Sequence, residues 1–510
     1  MCGICGQLRF DRGTPSSNSI KNMMSKLSRR GPDSSGQWFE GSVGFGHQRL
    51  SIIDLSNSGS QPMKDNTLNL TLVFNGTIYN YKELRSKLID KGYSFFSSSD
   101  TEVIIKSYHF WGKDCVKHLD GMFAFAIWDS LSKNLFIARD RMGIKPLYYN
   151  LTDKAFTFAS NSQALLTQSL DKSINPIALQ QQLSLHGVVP APNTIINGIK
   201  KLRPGTFIIL NENGIVDEQS YWYPNASRHE SNISEDDYIT RTHELLSKAV
   251  TKRMEASDVP IGVLLSGGLD SSLIVALLKE SGHKDIRTFS IGFEDIDDET
   301  GSEFEYSDQI VSKFQTNHKK YLLSNKEVLP RLSEAIKNMS EPMVGQDAIA
   351  FYLLSEQVSK QTKVVLSGQG ADEAFAGYFW YPRMFKEQGD EVERFSKHYV
   401  DRPHHEFLQT VMPFYQGEDH TKKWLTKEFS KPGADSFIDK VFRTDMTRLI
   451  VDDPVKRVDN MTMAWGLEAR VPFMDTDLVE WALQIPPSLK MREEGKYPLI
   501  EQSHSRGNSW

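Results

Sequence analysis

The sequence predicts an α/β protein in two parts: an N-terminal half of mixed strands and helices dominated by antiparallel pairs, and a C-terminal half built on a parallel sheet covered on both faces. Three observations predict it. Up to about residue 200, short β-branched and aromatic runs stand between Gly, Asn, Asp and Ser. From Tyr223 to Asp237 the run YPNASRHESNISEDD is polar and lacks apolar periodicity, as a linker does. Beyond it, apolar strand-like runs alternate with helical patterns, which marks βαβ units.

In chain order, the first half offers strands over 43–53 (VGFGHQRLSII), 70–76 (LTLVFNG), 122–129 (MFAFAIWD), 134–140 (NLFIARD) and 156–160 (FTFAS). The 3.6-residue spacing of apolar side chains predicts helices over 81–92 and 101–119. In the second half, strands are predicted within 259–268, 287–293, 319–324 and 363–368, with helices at 271–282 and 306–314 and two more before Lys363. From about Gly377 the pattern is mostly helical, as in DDPVKRVDNMTMAWGLEA (452–469). No repeat of 20–50 residues occurs, which excludes solenoids and propellers.

Composition narrows the function classes. With 510 residues the chain has room for two to four cores. Its 59 Lys and Arg against 65 Asp and Glu give a net charge of −6, and no basic run offsets it, so a nucleic-acid partner is not expected. No apolar stretch is long enough to span a membrane and the N-terminus lacks a signal pattern, so the expected location is cytoplasmic. The three cysteines, Cys2, Cys5 and Cys115, suit a reducing compartment. Cys2 and Cys5 lack the second ligand pair that a zinc site requires. His47, His109 and His118 show no metal-ligand spacing and read as surface or satisfied core residues.

Two motifs carry chemistry. Removal of Met1 leaves Cys2 with a thiol and a free α-amine, and an α-amine titrating near 7.7–8.0 is a built-in base for the thiol. A small buried residue at a frayed terminus is the bland alternative. The second motif is VLLSGGLDSS (263–272), where an apolar strand passes into a helix through Ser and Gly. Its backbone N–H groups form an anion nest reinforced by the helix N-terminus. It is not GxxxxGK[ST], which disfavours a γ-phosphate-cleaving enzyme.

MCGICG, RRGPDSSG, GHQRLSIIDLS, FNGTIYNY, SSSDTEV and the GMFAFAIWD to ARDRMGIKPLYY pair, in this order, resemble the glutaminase domain of the asparagine synthetase family. The resemblance implies an N-terminal nucleophile hydrolase of αββα layers over residues 2–222, joined through the linker 223–237 to a synthetase domain over 238–510. It implies Cys2 as nucleophile, Asn75 and Gly76 as oxyanion donors, and Arg49 on the α-carboxylate of glutamine with Asp100 on its α-amine. Many asparagine synthetases have Glu in NGEIYN where this chain has Thr77, a glutamine-pocket position that here brings no charge.

SGGLDSS resembles the pyrophosphate loop of doubly wound ATP pyrophosphatase (adenine nucleotide alpha hydrolase-like) domains, which adenylate a substrate and release AMP. That resemblance implies ATP contacts from Leu265, Ser266, Gly267, Gly268, Asp270 and Ser271. LSGQGADEAFAGY (366–378) matches the second nucleotide segment and adds Ser367 and Gly368. Ile291 in SIGFE lies where the family contacts adenine. Asp270 and Asp372 are the implied Mg²⁺ ligands. Gln369, Glu468 and Arg470, the last two in LEARVPFMD (467–475), are implied in the synthetase pocket, and an ion-pair group of Glu468, Arg470 and Asp475 is the structural alternative.

VVPAPNTI, SEPMVGQDAIAFYLLS and VVLSGQGADEAFAGYFWYP look most like the N-acetylglutaminylglutamine amidotransferase branch, which amidates a capped dipeptide into an osmoprotectant. Gln369 points the same way, since asparagine synthetases usually have Glu in SGEGADE. Aspartate as acceptor is the alternative, and a non-catalytic glutamine- or nucleotide-binding relative is the alternative of another class. The resemblance allows a homodimer. It stops near KMREEGKYPL, and IEQSHSRGNSW matches nothing in it. The expectation is a shortened synthetase domain with a disordered tail, keeping glutamine hydrolysis but forming AMP weakly.

Overall fold

The apolar runs of the first half are continuous because its strands are covered on both faces. Phe123, Phe125 and Ile127 pack toward Leu84, Leu88, Val103 and Ile104 of two helices, whereas the intervening Ala124, Ala126 and Trp128 pack toward Ile4, Leu8 and Phe45 of a second sheet. Period-two alternation thus feeds two apolar layers instead of one apolar and one wet face. The structure, a computed structural model, describes residues 1–228, 233–295, 301–343, 345 and 347–491. Residues 229–232 of the expected linker and the polar tail 492–510 lie outside the described residues.

The two sheets of this half are six-stranded and antiparallel. One runs in the order Lys200–Lys201, Tyr148–Leu151, Ala155–Ala159, Gly3–Arg9, Val43–Arg49, Ser34–Glu40. The other runs Gly214–Ser220, Thr206–Asn211, Asn134–Arg139, Gly121–Asp129, Leu70–Ile78, Met63–Asp65. Helix Ser17–Ser25 covers the outer face of the first sheet through Ile20, Met23 and Met24 beside Cys5. Helices Tyr81–Asp90 and Asp100–Trp111 cover the second. The layering is αββα.

The second half holds a parallel five-stranded sheet in the order Asn317–Leu323, Arg287–Phe293, Ile261–Leu264, Val364–Leu366, Glu468–Arg470. Its first strand in sequence, Ile261–Leu264, lies in the middle, and the chain winds first to one side and then to the other. That reversal makes a topological switch point, where α/β sheets open a crevice at the carboxyl ends of their strands.

Four local expectations shift. The helix expected over 101–119 breaks at Gly112, whose φ of +58° with ψ of −138° is a backbone conformation that favours glycine. The strand expected over 43–53 ends at Arg49. Helix Glu235–Glu255 begins inside the expected linker, because Ser234 caps Asp237 N–H and Glu235, Asp236 and Asp237 suit the positive helix start. Strand Glu468–Arg470 lies in a stretch expected to be helical, since three residues with two charges carry no alternation.

The halves meet over buried ion pairs. Asp459 takes both Arg30 (2.8 Å) and Lys145 (3.2 Å), and Lys201 reaches Glu341 (2.9 Å) and Asp452 (2.7 Å). Among the described residues no helix is long and apolar enough to cross a membrane.

Candidate active sites

Cys2 precedes the central strand Gly3–Arg9, so sheet pairing from Gly3↔Gln48 onward fixes its position. Its N–H donates to Asn75 Oδ1 (3.1 Å), its carbonyl accepts from Arg30 Nε (3.3 Å), and its Sγ faces the Leu50 carbonyl at 4.0 Å. Burial pushes the thiol pKa up, so the thiol depends on a neighbouring base. His47 is no such base: burial lowers its pKa to about 3, and Nε2 sits 3.3 Å from the Phe74 carbonyl.

Asn75 presents a buried Nδ2 with no hydrogen-bond partner in the structure. An amide N–H₂ left unengaged beside a thiol is a donor held for a ligand, because an unpaired buried donor otherwise costs about 1–3 kcal/mol. Gly76 follows, and a Cβ there would lie 2.1 Å from the Met122 carbonyl, so only glycine passes this close.

Arg49 is held by the Ser56 carbonyl (2.9 Å) and by that of Asp54, and lines the same cavity as Cys2. Asp100 opens its helix behind the Ser99 cap and accepts from Ile78 N–H (3.0 Å). Burial, with the nearby Glu468 charge, pushes its pKa up to about 6. Thr77 also lines the cavity and donates its hydroxyl to Glu468 Oε1 (3.1 Å). Met1 is buried in its wall, and the cavity has about 30 Å³, room for water and not for an amino acid.

The second cavity, about 520 Å³, opens at the switch point. That volume suits a nucleotide-sized ligand. Of the residues expected there, Leu265, Ser266, Gly268, Asp270, Ser271, Ile291, Ser367, Gly368, Gln369 and Asp372 line it. Ser266 Oγ accepts from Gly268 N–H (3.2 Å), and Ser271 and Ser272 hydroxyls donate to the Gly268 carbonyl, which folds the loop tightly. Helix Leu269–Glu280 starts at Gly268 with no side-chain cap, the kind of helix start whose positive end favours an anion. Gly368 packs so that its Cβ would sit 3.0 Å from Asp270 Cβ, which brings the two carboxylate-bearing loops together.

Three placements differ from expectation. Gly267 does not line the cavity: at φ +92° it turns the loop against helix Phe304–Phe314, where a Cβ would meet Ser307 N at 2.5 Å. Glu468 and Arg470 lie away from the nucleotide-side cavity, because their strand is the outermost of the sheet and faces the other half of the chain. Glu468 lines the Cys2 cavity, and Arg470 pairs with Glu468 Oε1 (2.6 Å) and the Ala256 carbonyl (3.0 Å). Asp475 belongs to a separate ion pair with Arg253 (2.8 Å). Sequence reasoning missed the Cys2-side position of Glu468, and its only signal was a buried-type strand motif with a charge at its start.

These two cavities on one chain define a class, an amidotransferase-type layered domain joined to a parallel-sheet synthetase domain. Comparison with known proteins gives the family. Residues 1–222 match the glutamine amidotransferase domain model and residues 241–502 the asparagine synthase model. The chain is 33% identical to asparagine synthetase [glutamine-hydrolyzing] 3 of Bacillus subtilis, over 99% of this chain and 84% of that protein. It is 32% identical to asparagine synthetase [glutamine-hydrolyzing] 1 of the same organism, over 96% and 82%. It is 28% identical to amidase chry2 of Gibberella zeae, over 95% and 81%. Among solved structures, glutamine PRPP amidotransferase from B. subtilis aligns with 73% of this chain and 76% of that one, at 16% identity and a TM-score of 0.34. The chain belongs to the glutamine-hydrolysing asparagine synthetase family, and it is a glutamine-dependent, asparagine synthase-type ligase.

Proposed function

We propose that this enzyme transfers the amide nitrogen of glutamine to the side-chain carboxylate of aspartate, with ATP split to AMP and pyrophosphate. The observation that carries the reading is the pairing of a Cys2 cavity holding an unengaged Asn75 amide with a separate nucleotide-sized cavity on the same chain. Aspartate is favoured by the relatives named asparagine synthetase, and the comparisons bring no support for the capped-dipeptide branch. A further cavity of about 400 Å³ agrees, lined by Glu373, Asp445 and Asp453 with the stacked Tyr378 and Trp380 rings. Carboxyls and aromatic faces suit an acceptor with an α-ammonium, which an N-acetyl-capped dipeptide lacks. Burial and neighbouring carboxyls push Asp445 up to about 7 and raise Glu373 well above the usual carboxylate range, so an incoming cation would favour their ionised forms.

In this reading the free α-amine of processed Cys2 takes the thiol proton, and the thiolate attacks the glutamine amide carbon. Asn75 Nδ2 and Gly76 N–H donate to the oxyanion of the tetrahedral intermediate, the protonated α-amine returns its proton to the amide nitrogen, and ammonia leaves as the glutamyl thioester forms. Water then releases glutamate. In the second cavity the loop 265–268 and the start of helix Leu269–Glu280 hold the phosphates, and the acceptor carboxylate attacks the α-phosphate. Ammonia displaces AMP from the acyl-adenylate. Free ammonia is mostly ammonium at neutral pH and is not nucleophilic, which favours internal delivery past the buried domain contact.

Mg²⁺ would fit between Asp270 and Asp372, where it would neutralise phosphate charge. Two carboxylates plus phosphate oxygens are its usual surroundings, and among the described residues no protein-only metal cluster of three acids, histidines or cysteines occurs. Gln369, where a Glu is usual, faces the nucleotide cavity and is the observation favouring the dipeptide instead. The test is glutamine-dependent AMP production with aspartate against N-acetylglutaminylglutamine. Turnover with aspartate supports the proposal, and turnover with the dipeptide alone reverses the choice.

A further inference from the structure

A further cavity, of about 200 Å³, lies where helices Glu391–Tyr399 and His420–Phe429 meet helix Pro176–Ser184 of the amidotransferase half, and it shares no lining residue with the Cys2 or nucleotide cavities. Gln180 of that last helix fixes one side: its Oε1 accepts from His420 N–H (2.9 Å) and its Nε2 donates to Asp419 Oδ1 (3.3 Å). Asp419 also accepts from Lys422 N–H (2.8 Å) and so caps helix His420–Phe429. Thr421 lines the cavity at 5% exposure, and its buried hydroxyl has no hydrogen-bond partner. Such a group is costly unless a ligand engages it. Arg402, Lys422 and Glu393 line the cavity too, and among the described residues their charged groups have no ion-pair or hydrogen-bond partner. Charges of both signs thus face one space without pairing across it.

The same wall serves the cavity read above as the acceptor site. Tyr399 lines the acceptor side, and Val400 and Arg402 line this one. Asp401, between them, donates its N–H to the Ser184 carbonyl (3.1 Å), and its carboxylate meets His186 Nδ1 (2.9 Å). His186 in turn lines the acceptor cavity, its ring centroid 4.6 Å from that of Tyr399.

We propose that this cavity binds a free α-amino acid, and that its occupancy is felt in the acceptor cavity through residues 399–402. The second clause rests on the reading of the acceptor cavity. Arg402 and the Thr421 hydroxyl suit the α-carboxylate, since a guanidinium forks onto a carboxylate and a hydroxyl donates to it. Glu393 and Asp419 suit the α-ammonium. A simple anion leaves the two acids facing it, and a simple cation faces Arg402 and Lys422; a zwitterion satisfies both signs. The volume admits an amino acid and is too small for a nucleotide. A ligand held by Arg402 bears on the stretch of backbone that sets Asp401 against His186, which gives the two cavities a contact through which binding in one changes binding in the other.

The test titrates the full, processed chain carrying Cys2→Ala, without nucleotide, by calorimetry with L-glutamate, L-asparagine and succinate, the last a carboxylate without an ammonium. Arg402→Met should weaken one amino-acid site by about 10–100-fold and Thr421→Val by about 2–10-fold. Thr421→Val alone should keep or raise the thermal midpoint, because it removes an unpaired buried hydroxyl, so its loss of binding is not a loss of fold. Amino-acid binding unchanged in both variants, or succinate binding as tightly as the amino acids, would overturn the site. In ammonia-supported AMP formation by the processed wild type, L-glutamate should shift KM for aspartate at least threefold, and the shift should vanish in Thr421→Val. No shift, or the same shift in Thr421→Val, overturns the coupling. A wild type that does not turn over aspartate while its amino-acid binding still depends on Thr421 and Arg402 refutes the acceptor reading and leaves the new site standing.

Discussion

A chain that keeps a residue in front of Cys2 is expected to lose glutamine hydrolysis while retaining its second activity. With Met1 in place the cavity has about 30 Å³ left, and the Met1 ammonium is buried against Glu468. The α-amine of Cys2 is then an amide nitrogen and no base, and burial lowers the pKa of the nearby His47 imidazole to about 3. Loss of a general base alone costs about 10²–10⁴-fold. Adding the blocked volume, the retained chain should fall at least ~10³-fold in kcat/KM, equivalent to ~4 kcal/mol of transition-state stabilisation. The assay compares one fusion before and after cleavage directly in front of Cys2, with glutamate release measured on both and the N-terminus checked by mass spectrometry. Ammonia-supported AMP formation serves as the control and should be the same in both. Uncut protein hydrolysing glutamine within tenfold of the cut form would refute the reasoning.

Three other perturbations follow from the same geometry. Asp459→Asn leaves Arg30 and Lys145 buried against a neutral partner; breaking a buried pair costs about 3–5 kcal/mol, so the thermal midpoint should drop by about 5–10 °C, and an unmoved midpoint would count against this interface. Asp270→Asn and Asp372→Asn should each depress AMP formation and leave glutamate release nearly intact; ADP and phosphate as products would contradict the assignment of the nucleotide loop. The Asp100 pKa is raised in the folded chain to about 6, above its unfolded value, so its contribution to stability is fully present below about pH 4 and is lost as pH rises to about 6. Asp100→Asn should therefore gain stability relative to wild type between pH 4.5 and 7, by of order 3 kcal/mol in urea titrations; a pH-independent difference would argue against it.

The fold class was legible because its signals are local. MFAFAIWD reads as a strand whether one or both faces are buried, and an apolar strand followed by SGGLDSS can do little but turn into a helix over an anion nest. The cavity-lining residues after Ile261–Leu264 and Val364–Leu366 follow from that turn and from the switch point. What local pattern could not supply was the fate of Glu468–Arg470. Three residues carry no period, and their strand exists only because Val364–Leu366 offers a free edge far away in sequence. With that strand unseen, the family resemblance of LEARVPFMD puts Glu468 and Arg470 in the synthetase pocket, whereas the outermost strand turns them toward Thr77. The start of helix Glu235–Glu255 was hidden for a similar reason: an acidic run reads as solvated chain until Ser234 is recognised as its cap.

The central claim, two coupled reactions on one chain, is tested most directly by product stoichiometry. Processed enzyme incubated with glutamine, ATP, Mg²⁺ and aspartate should yield glutamate, AMP and the amide product in equal amounts; Cys2→Ala should abolish all three, and supplied ammonia should restore AMP and the amide product but not glutamate. Glutamate without amide-linked AMP under every acceptor tried, or ADP in place of AMP, would contradict the account.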